Sequence, residues 1–207
     1  GGTGSAVVFV HGTTSHNTFC IWHGFDRLVR GLAAYYDRGR SYKVYFHIVG
    51  ELTGERERKE ILPLIREHGL EPYVILHGAR HGLELDELFE HADFGIGSLG
   101  RHRSGITHIK TLKNREYAAR GLAFAYSETD EDFDDKAYVM KIPADETAVD
   151  IDGIVAFCRS LPMTGREIRD SIGNLSWKCQ MQKVLCEVVP CTKTPALPVP
   201  PQNIRKI

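Results

Sequence analysis

The sequence predicts an α/β fold: a doubly wound parallel sheet, Rossmann-like, of about six strands with additional C-terminal helices. Short apolar runs alternate with longer segments in which apolar residues recur at helical spacing along most of the 207 residues. Glycines follow several of these segments at positions where helices and strands usually end. Strands separated by helices imply right-handed crossovers, and such sheets bind ligands beyond the carboxyl ends of their strands.

The elements follow one another in a regular order. The first strand is fully apolar, the second is rich in β-branched and aromatic residues, and Gly69 and Gly121 close two of the helices. Pro63 either kinks the second helix or marks a late start of it. The predicted strands cover 6–10, 43–49, 73–76, 93–97, 122–126 and 138–142. The predicted helices cover 25–36, 55–68, 84–91, 112–120, 164–172 and 176–189.

Length and composition indicate one globular domain between two irregular ends. With 42% hydrophobic and 26% charged residues, the chain is long enough to bury a sound core. Residues 1–5 are expected to be a flexible lead, 6–190 the Rossmann-like domain, and 191–207 an extended tail rich in proline. No apolar stretch has the length of a membrane span.

Charge and cysteine content exclude some functions. A formal net charge of −1 provides no basic surface of the kind that nucleic-acid binding requires, so no nucleic-acid partner is expected. The five cysteines form an odd set without a CxxC pair, which favours reduced thiols in a cytoplasmic protein.

Two motifs suggest other classes of enzyme. Residues 7–14 (VVFVHGTT) are similar to the strand and His-Gly turn of α/β-hydrolases, but the nearest nucleophile motif, around Ser98, has isoleucine where the first glycine of GxSxG belongs. The spacing Gly95-x-Gly97-x-x-Gly100 matches the dinucleotide fingerprint, yet it falls on the fourth strand and not in the first βαβ unit. These glycines are better explained by a ligand or a backbone segment that comes close to the strand end.

The ten histidines do not form a predicted metal site. His77 and His81 lie four residues apart but on either side of a glycine after a strand, so no helix presents both on one face. His11, His16 and His23 lie in one loop region. No metal is therefore expected.

The stretch from ADFGIGS (92–98) to LKNREYAARGLAFAYSE (112–128) resembles the donor-binding C-terminal domain of GT-B glycosyltransferases, specifically glycosyltransferase family 4 (group 1). The WHGFDRL segment (22–28) is similar to a subgroup found in bacterial surface-polysaccharide transferases. The resemblance covers roughly residues 20–190. It implies a nucleotide sugar, such as a UDP- or GDP-sugar, as the substrate of the 6–190 domain.

Family members use two glutamates separated by seven residues, and the resemblance carries these catalytic positions to His108 and Glu116. The Glu116 carboxylate is expected to accept hydrogen bonds from both ribose hydroxyls. Its alternative role is that of a first-turn acid stabilised by the helix dipole. His108 departs from the family pattern, because an imidazole does not give the acceptor-only contact of a carboxylate.

The diphosphate position departs from the family as well. Many relatives place an arginine and a lysine five residues apart before the first helix, where this chain has Thr18 and His23. The cations expected to substitute are His23, Arg27 and Lys113, although Arg27 is equally well explained as a surface residue paired with Asp26. The free backbone amides of the helix beginning near Thr111 and Leu112 are expected to bind phosphate.

Further matches complete the predicted nucleotide site. Ser98 corresponds to the serine that ends the fourth strand in the family, and Gly50 to a glycine turn that approaches the nucleotide. His77 and Gly78 end the strand that flanks the base. The segment from Ser176 to Met181 resembles the final helix that crosses back to the other domain in complete enzymes.

A complete GT-B enzyme has two Rossmann-like domains, and this chain supplies one. The resemblance therefore implies the donor half of a retaining hexosyltransferase for bacterial capsule, lipopolysaccharide or exopolysaccharide, inactive by itself. Its expected partners are an N-terminal acceptor-binding domain and a glycan or lipid-linked acceptor. Its expected location is the cytoplasm, or the inner-membrane surface through the missing domain. The alternative from another class is a non-catalytic binding or scaffolding module with a degenerate donor site.

Overall fold

A computed structural model describes residues 5–11, 24–50 and 55–176, together with positions 179 and 182. Within these residues the chain forms one six-stranded sheet and six α-helices. The strands are β1 Ser5–His11, β2 Lys43–Val49, β3 Val74–Gly78, β4 Phe94–Ile96, β5 Phe124–Tyr126 and β6 Val139–Lys141. The helices are α1 Phe25–Asp37, α2 Glu55–Glu67, α3 Gly82–Glu90, α4 Leu112–Arg120, α5 Ile151–Ser160 and α6 Gly165–Ser171.

The sheet confirms the predicted fold class. All of its strand pairs are parallel, and the strand order is β3-β2-β1-β4-β5-β6. The central strand β1 pairs with β2 on one side and with β4 on the other, so the direction of winding reverses between β1 and β4. In a doubly wound sheet, the crevice outside the carboxyl ends of the strands at this reversal is where ligands bind.

The burial of side chains explains why these segments became strands and helices. In β2, Val44, Phe46 and Ile48 are completely buried while the residues between them are partly exposed, as expected for alternation across a pleated strand. The short strands β4 and β5 are buried at every position. Strands covered on both faces need continuous apolar runs, which is the pattern found in the sequence.

Helix α1 packs closely against the segment before α5. The apolar side of α1 is buried, and a Cβ atom built on Gly31 would lie 2.2 Å from the carbonyl oxygen of Val149. The absence of a side chain at Gly31 therefore allows the helix to approach the backbone around Val149. The amide of Val149 also donates to the carbonyl oxygen of Arg27 at 3.1 Å.

Some predicted details were wrong. Helix α2 begins at Glu55 with Pro63 inside it, so Pro63 does not mark a late start. The loop predicted at 101–105 contains a short 3₁₀ helix, Arg101–Ser104, followed by Gly105 with a φ of 69°. The helical content expected after the sixth strand resolves into α5 and α6.

Of the two predicted domain limits, residue 190 lies outside the described residues and residue 6 lies within them. Ser5, placed in the flexible lead, is the first residue of β1. The chain divides into two compact units after Ser171, and the described part of the second contains the 3₁₀ helix Gly173–Leu175. The proline-rich tail 191–207 lies outside the described residues. None of the helices described is both long and apolar enough to cross a membrane.

The contact between α1 and Val149 gives a test of the packing. Replacing Gly31 with alanine is expected to lower the free energy of unfolding by about 1–3 kcal/mol, because the added methyl group meets rigid backbone. Urea unfolding followed by circular dichroism measures the change. The matched control is Gly173→Ala, where an added Cβ meets nothing within 4 Å and the stability should not fall. Equal stability of the two variants would contradict this packing.

Candidate functional site

Two backbone contacts define the carboxyl edge of the sheet near the reversal of winding. Gly24 caps α1 with a φ of 65°, and a Cβ atom there would lie 2.7 Å from the backbone of Leu99, in the loop after β4. Gly50 donates its amide to the carbonyl oxygen of Gly78 at 2.9 Å, which joins the ends of β2 and β3. The start of α1 and the strand ends are therefore held close together at this edge.

Two alternatives were predicted for Arg27: a cation that binds diphosphate, or a surface residue paired with Asp26. The structure supports neither of them. The Arg27 side chain is completely buried. All five of its N–H donors have acceptors within the chain. Nε donates to Thr147 O at 2.8 Å, Nη1 to Leu99 O at 2.6 Å and Ser127 Oγ at 3.5 Å, and Nη2 to Pro143 O at 2.8 Å and Asp145 Oδ1 at 3.4 Å. The surface pairing with Asp26 was wrong, and these contacts leave Arg27 no donor for a phosphate.

Asp26 pairs instead with Arg103, which lies in the 3₁₀ helix after β4. The two side chains form a bidentate pair, with distances of 2.9 and 2.8 Å, and Arg103 also binds Glu146. Burial alone would raise the pKa of Asp26, but Arg103 and Arg30 outweigh it and hold that pKa below the usual value. Hydrogen bonds from Arg103 and His102 lower the pKa of Glu146 to about 2. This network ties the first turn of α1 to the loop after β4.

Helix α4 begins at the same edge, directly after the β4 loop. Thr111 is its N-cap, and its hydroxyl oxygen accepts the amide of Asn114 at 3.3 Å. The Leu112 side chain is 76% exposed, whereas Thr111 is only 9% exposed. Lys113, in contrast, is 1% exposed and lies beneath the start of the helix. A helix N-terminus, which favours anions, and a buried lysine thus follow one another in the sequence.

Glu128 is a buried acid that sequence analysis did not identify. It follows β5 by two residues, is 3% exposed, and neither of its carboxylate oxygens has a hydrogen-bond partner. Burial raises the pKa of Glu128, while the charges of Arg101, Lys113 and Lys141 oppose that rise. An acidic residue immediately beyond an apolar strand was the signal available in the sequence.

His108 lies in a segment that pairs with the residue after Glu128. His108 and Thr129 form an isolated parallel bridge, in which Thr129 N donates to Thr107 O at 2.8 Å and Ile109 N donates to Thr129 O at 3.0 Å. The exposed imidazole Nδ1 is 2.9 Å from the hydroxyl of Thr107. The ring borders a shallow cavity of about 180 Å³. The structure therefore brings His108 next to the chain segment that carries Glu128.

Glu116 lies in the second turn of α4, and the first turn contains no acid. Its alternative role as a first-turn acid was therefore wrong. The side chain is 30% exposed and contacts Arg120 Nε at 3.3 Å. Arg120 also pairs with Asp86 of α3 at 2.7 Å and lies over the ring of Phe89. The Glu116 carboxylate is accessible, but it has different neighbours from His108.

The remaining predicted site residues have distinct positions. Ser98 is 2% exposed, and its carbonyl oxygen accepts the amide of Ser127 at 3.0 Å. The ring of His77 lies beside a second histidine, with its Nε2 3.1 Å from Nδ1 of His47. The same ring borders a cavity of about 350 Å³ beside α3. Burial lowers the pKa of both histidines. Gly50 and Gly78 join the ends of β2 and β3, as Ser98 and Ser127 join the residues after β4 and β5.

Several predictions fall outside the described residues. These include Thr18 and His23 of the expected diphosphate position, and the helix predicted from 176 to 189 apart from positions 176, 179 and 182. Among the described residues, no three histidine, cysteine or acidic side chains converge as a metal site.

The two competing motifs have structural explanations. The buried Ser98 is not displayed on an exposed turn, as the nucleophile of an α/β-hydrolase must be. A Cβ atom on Gly95 would lie 2.8 Å from the ring of Tyr117, and one on Gly97 would lie 2.8 Å from Asn114 Oδ1. These glycines allow α4 to pack against β4, which agrees with the close backbone approach expected from the sequence.

This fold is that of the Rossmann-like domains found in GT-B glycosyltransferases. It is similar to sucrose-phosphate synthase from Thermosynechococcus elongatus, with a TM-score of 0.63 and 17% identity over 88% of this chain and 45% of that one. It is also similar to the C-terminal domain of a group 1 family glycosyl transferase from Francisella tularensis, with a TM-score of 0.58, 12% identity and coverage of 82% and 85%.

A third similar structure is that of HepE from Anabaena in complex with UDP-glucose, with a TM-score of 0.58 and 16% identity over 87% of this chain and 48% of that one. The chain thus spans about half the length of the synthase and of HepE. No protein-family model matches the sequence, and no curated protein does.

The contacts of Arg27 predict its role in stability. Arg27→Lys keeps the charge but removes the planar set of five donors, leaving buried carbonyl groups without partners, so the free energy of unfolding should fall by about 2–4 kcal/mol. Arg30→Lys, at a residue 40% exposed, is the control and should change it by less than about 0.5 kcal/mol. Urea titrations compare the variants, and equal midpoints would refute this role.

Proposed function

We propose that this chain is the donor-binding half of a retaining glycosyltransferase that transfers a hexosyl group from a nucleotide sugar. The observation that carries the proposal is the start of α4 at the carboxyl edge of the sheet. There, the helix N-terminus at Thr111, the buried Lys113 and Glu116, whose side chain is 30% exposed, occur within six residues. The likeness of the fold to HepE, whose structure contains UDP-glucose, supports the same class of ligand.

Each group at this edge has a chemical task in the proposal. The amides of Thr111 and Leu112 and the ammonium group of Lys113 stabilise the departing diphosphate. The Glu116 carboxylate accepts both ribose hydroxyls, which orients the nucleotide. Gly50 and Gly78 carry no side chain and allow the base to approach the backbone at the ends of β2 and β3. These are positioning and electrostatic roles, and they require neither a metal nor a second cofactor.

The acceptor is assigned to a partner. We assign acceptor binding to an N-terminal Rossmann-like domain, with a glycan or lipid-linked acceptor of bacterial capsule, lipopolysaccharide or exopolysaccharide synthesis. A chain with about half the length of HepE supplies one half of such an enzyme. We therefore expect nucleotide binding without turnover from this chain alone, in the cytoplasm or at the inner-membrane surface.

A non-catalytic scaffold with the same fold is the second candidate. Two observations favour it: the donors of Arg27 are used within the protein, and an imidazole stands at position 108 where the family has a carboxylate. Nucleotide binding separates the candidates, because a scaffold with a lost donor site does not bind UDP or GDP.

Glu116→Gln is expected to weaken binding of the preferred nucleotide by about 1.5–3 kcal/mol, since it removes a charged acceptor of two hydroxyl groups. Calorimetric titration of UDP, GDP and their sugar conjugates measures this loss. The control is Arg120→Gln, which breaks the same ion pair with Glu116 but keeps the carboxylate. Loss of binding in both variants would point to the ion pair, and unchanged binding in Glu116→Gln would exclude the ribose contact.

His108→Glu restores the carboxylate of the family pattern at a position 2.9 Å from the Thr107 hydroxyl and open to solvent. It is expected to improve binding of the nucleotide sugar by up to about tenfold while leaving the bare nucleotide unchanged, because a sugar hydroxyl gains a charged acceptor. The ratio of the two dissociation constants is the measurement. His108→Gln is the neutral control, and an equal gain there would contradict a carboxylate effect.

A further inference from the structure

The sheet brings two histidines of neighbouring strands together. Nδ1 of His47 in β2 lies 3.1 Å from Nε2 of His77 in β3. The centroids of the two rings are 5.0 Å apart, and the ring planes are inclined by 36°. The two residues are 30 positions apart in the sequence, so no local motif connects them. One nitrogen of each ring therefore faces a nitrogen of the other across a single hydrogen bond.

An irregularity in the strand pairing occurs at one of these histidines. The strands β2 and β3 pair residue by residue as far as Leu76, and the register then shifts so that Val49 pairs with Gly78. His77 is consequently an extra residue with no opposite residue on β2. Extra residues of this kind redirect a side chain and often occur next to functional sites. In this strand pair the extra residue is the one whose ring contacts His47.

The distance between the two facing nitrogens is close to that found in metal sites. Two imidazole nitrogens bound to one tetrahedral zinc ion, each at about 2.0–2.1 Å, lie roughly 3.3–3.4 Å apart. From the observed 3.1 Å, the rings of His47 and His77 need to separate by only a few tenths of an ångström to bind such an ion. Imidazole nitrogen is a preferred ligand of zinc, copper and nickel.

The two rings also have the protonation state that a metal ion requires. Histidine binds a metal as the neutral imidazole. Burial lowers the pKa of both rings, and the neighbouring His77 lowers that of His47 further, as Arg80 does for His77. Since the ordinary value is about 6.5, both imidazoles are neutral at pH 7. The proton of the hydrogen bond between them can move to the other nitrogen of its own ring, which frees both facing nitrogens for a metal ion.

A cavity beside α3 gives access to the pair. His77 borders this cavity of about 350 Å³, together with Glu84 and Glu87 of α3 and His91 after that helix. These three residues are exposed. Arg80 lines the cavity as well, and its positive charge is paired with Glu84 at 3.7 Å. In the described part of the chain no third histidine, cysteine or acid joins the pair directly. Water and the exposed side chains are then left to complete the coordination.

We propose that His47 and His77 form a two-histidine binding site for a divalent transition-metal ion such as zinc. The bound ion takes the place of the hydrogen bond between the rings. It links β2 to β3 next to the contact between Gly50 and Gly78. The inference goes beyond the proposed function and does not rest on it, because the site forms without a nucleotide and plays no part in the proposed transfer.

An NMR titration of the wild-type chain with zinc chloride tests the site directly. The resonances of His47 Nδ1 and His77 Nε2 are expected to change on binding, and the remaining ring protons should then lie on His47 Nε2 and His77 Nδ1. Magnesium, which prefers oxygen ligands, should leave both rings unchanged. A response confined to other histidines, or an equal response of all ten, would overturn the proposal.

Variants provide a second measurement. His47→Gln and His77→Gln each leave a single imidazole, so the zinc dissociation constant measured by calorimetry should rise at least about tenfold as chelation is lost. His68→Gln, at an exposed position after α2, is the control and should bind zinc as the wild type does. Zinc should raise the melting temperature of wild type and control more than that of the two variants. Equal zinc affinity in all four proteins would contradict the site. If a variant does not fold, the wild-type NMR resonances decide.

Discussion

The carboxyl edge of this protein depends on the burial of one guanidinium group. Moving a charged side chain out of water is costly, and the cost is offset only when every donor finds an acceptor. Arg27 meets this requirement with backbone carbonyl groups from residues 72 to 120 positions further along the chain. The loop after β4 and the segment after β6 must therefore take the positions in which those carbonyl groups surround α1.

The same constraint fixes the start of α4, where the proposed ligand site lies. With the β4 loop held by Arg27 and by the Asp26–Arg103 pair, α4 starts at a fixed position beside the reversal of winding. Gly95 and Gly97 let that helix lie directly on β4. The buried cation Lys113 and the accessible acid Glu116 are then presented from one rigid element. Because these residues lie on one rigid helix, they have little freedom to move when a ligand binds. Their side chains are therefore positioned before binding.

Much of the fold could be predicted from the sequence because its causes are local. Apolar runs, helical periodicity and cap glycines located all six strands, with ends within two residues of those observed, and reproduced the bounds of α4, 112 to 120. They did not predict the bounds of α5. The depth of Arg27 could not be predicted, since a charged residue beside Asp26 in a helix has the pattern of a surface ion pair. The acceptors that bury it are distant in sequence, and periodicity carries no information about them.

The candidate site also combines features with local causes and features that depend on residues distant in the sequence. The helix start at Thr111 and the position of Glu116 on α4 follow from capping and spacing, although the exact turn of Glu116 did not. Glu128 was missed because its burial, with 3% of the side chain exposed, results from the tertiary fold and not from a local pattern. Local sequence patterns predict where a helix begins and ends. They do not show which residues, distant in the sequence, the topology of the fold brings together.

The strand order also has a consequence for how the chain acquires its structure. The first half, β1 to β3, pairs neighbours in sequence, but β1 must still receive β4 on its other side, and Val8 pairs with Phe94 across a loop of roughly 85 residues. Closing such a loop is slow compared with local pairing. During synthesis, the second edge of β1 therefore waits for β4 to emerge, and β5 and β6 extend the sheet beyond β4 only after that.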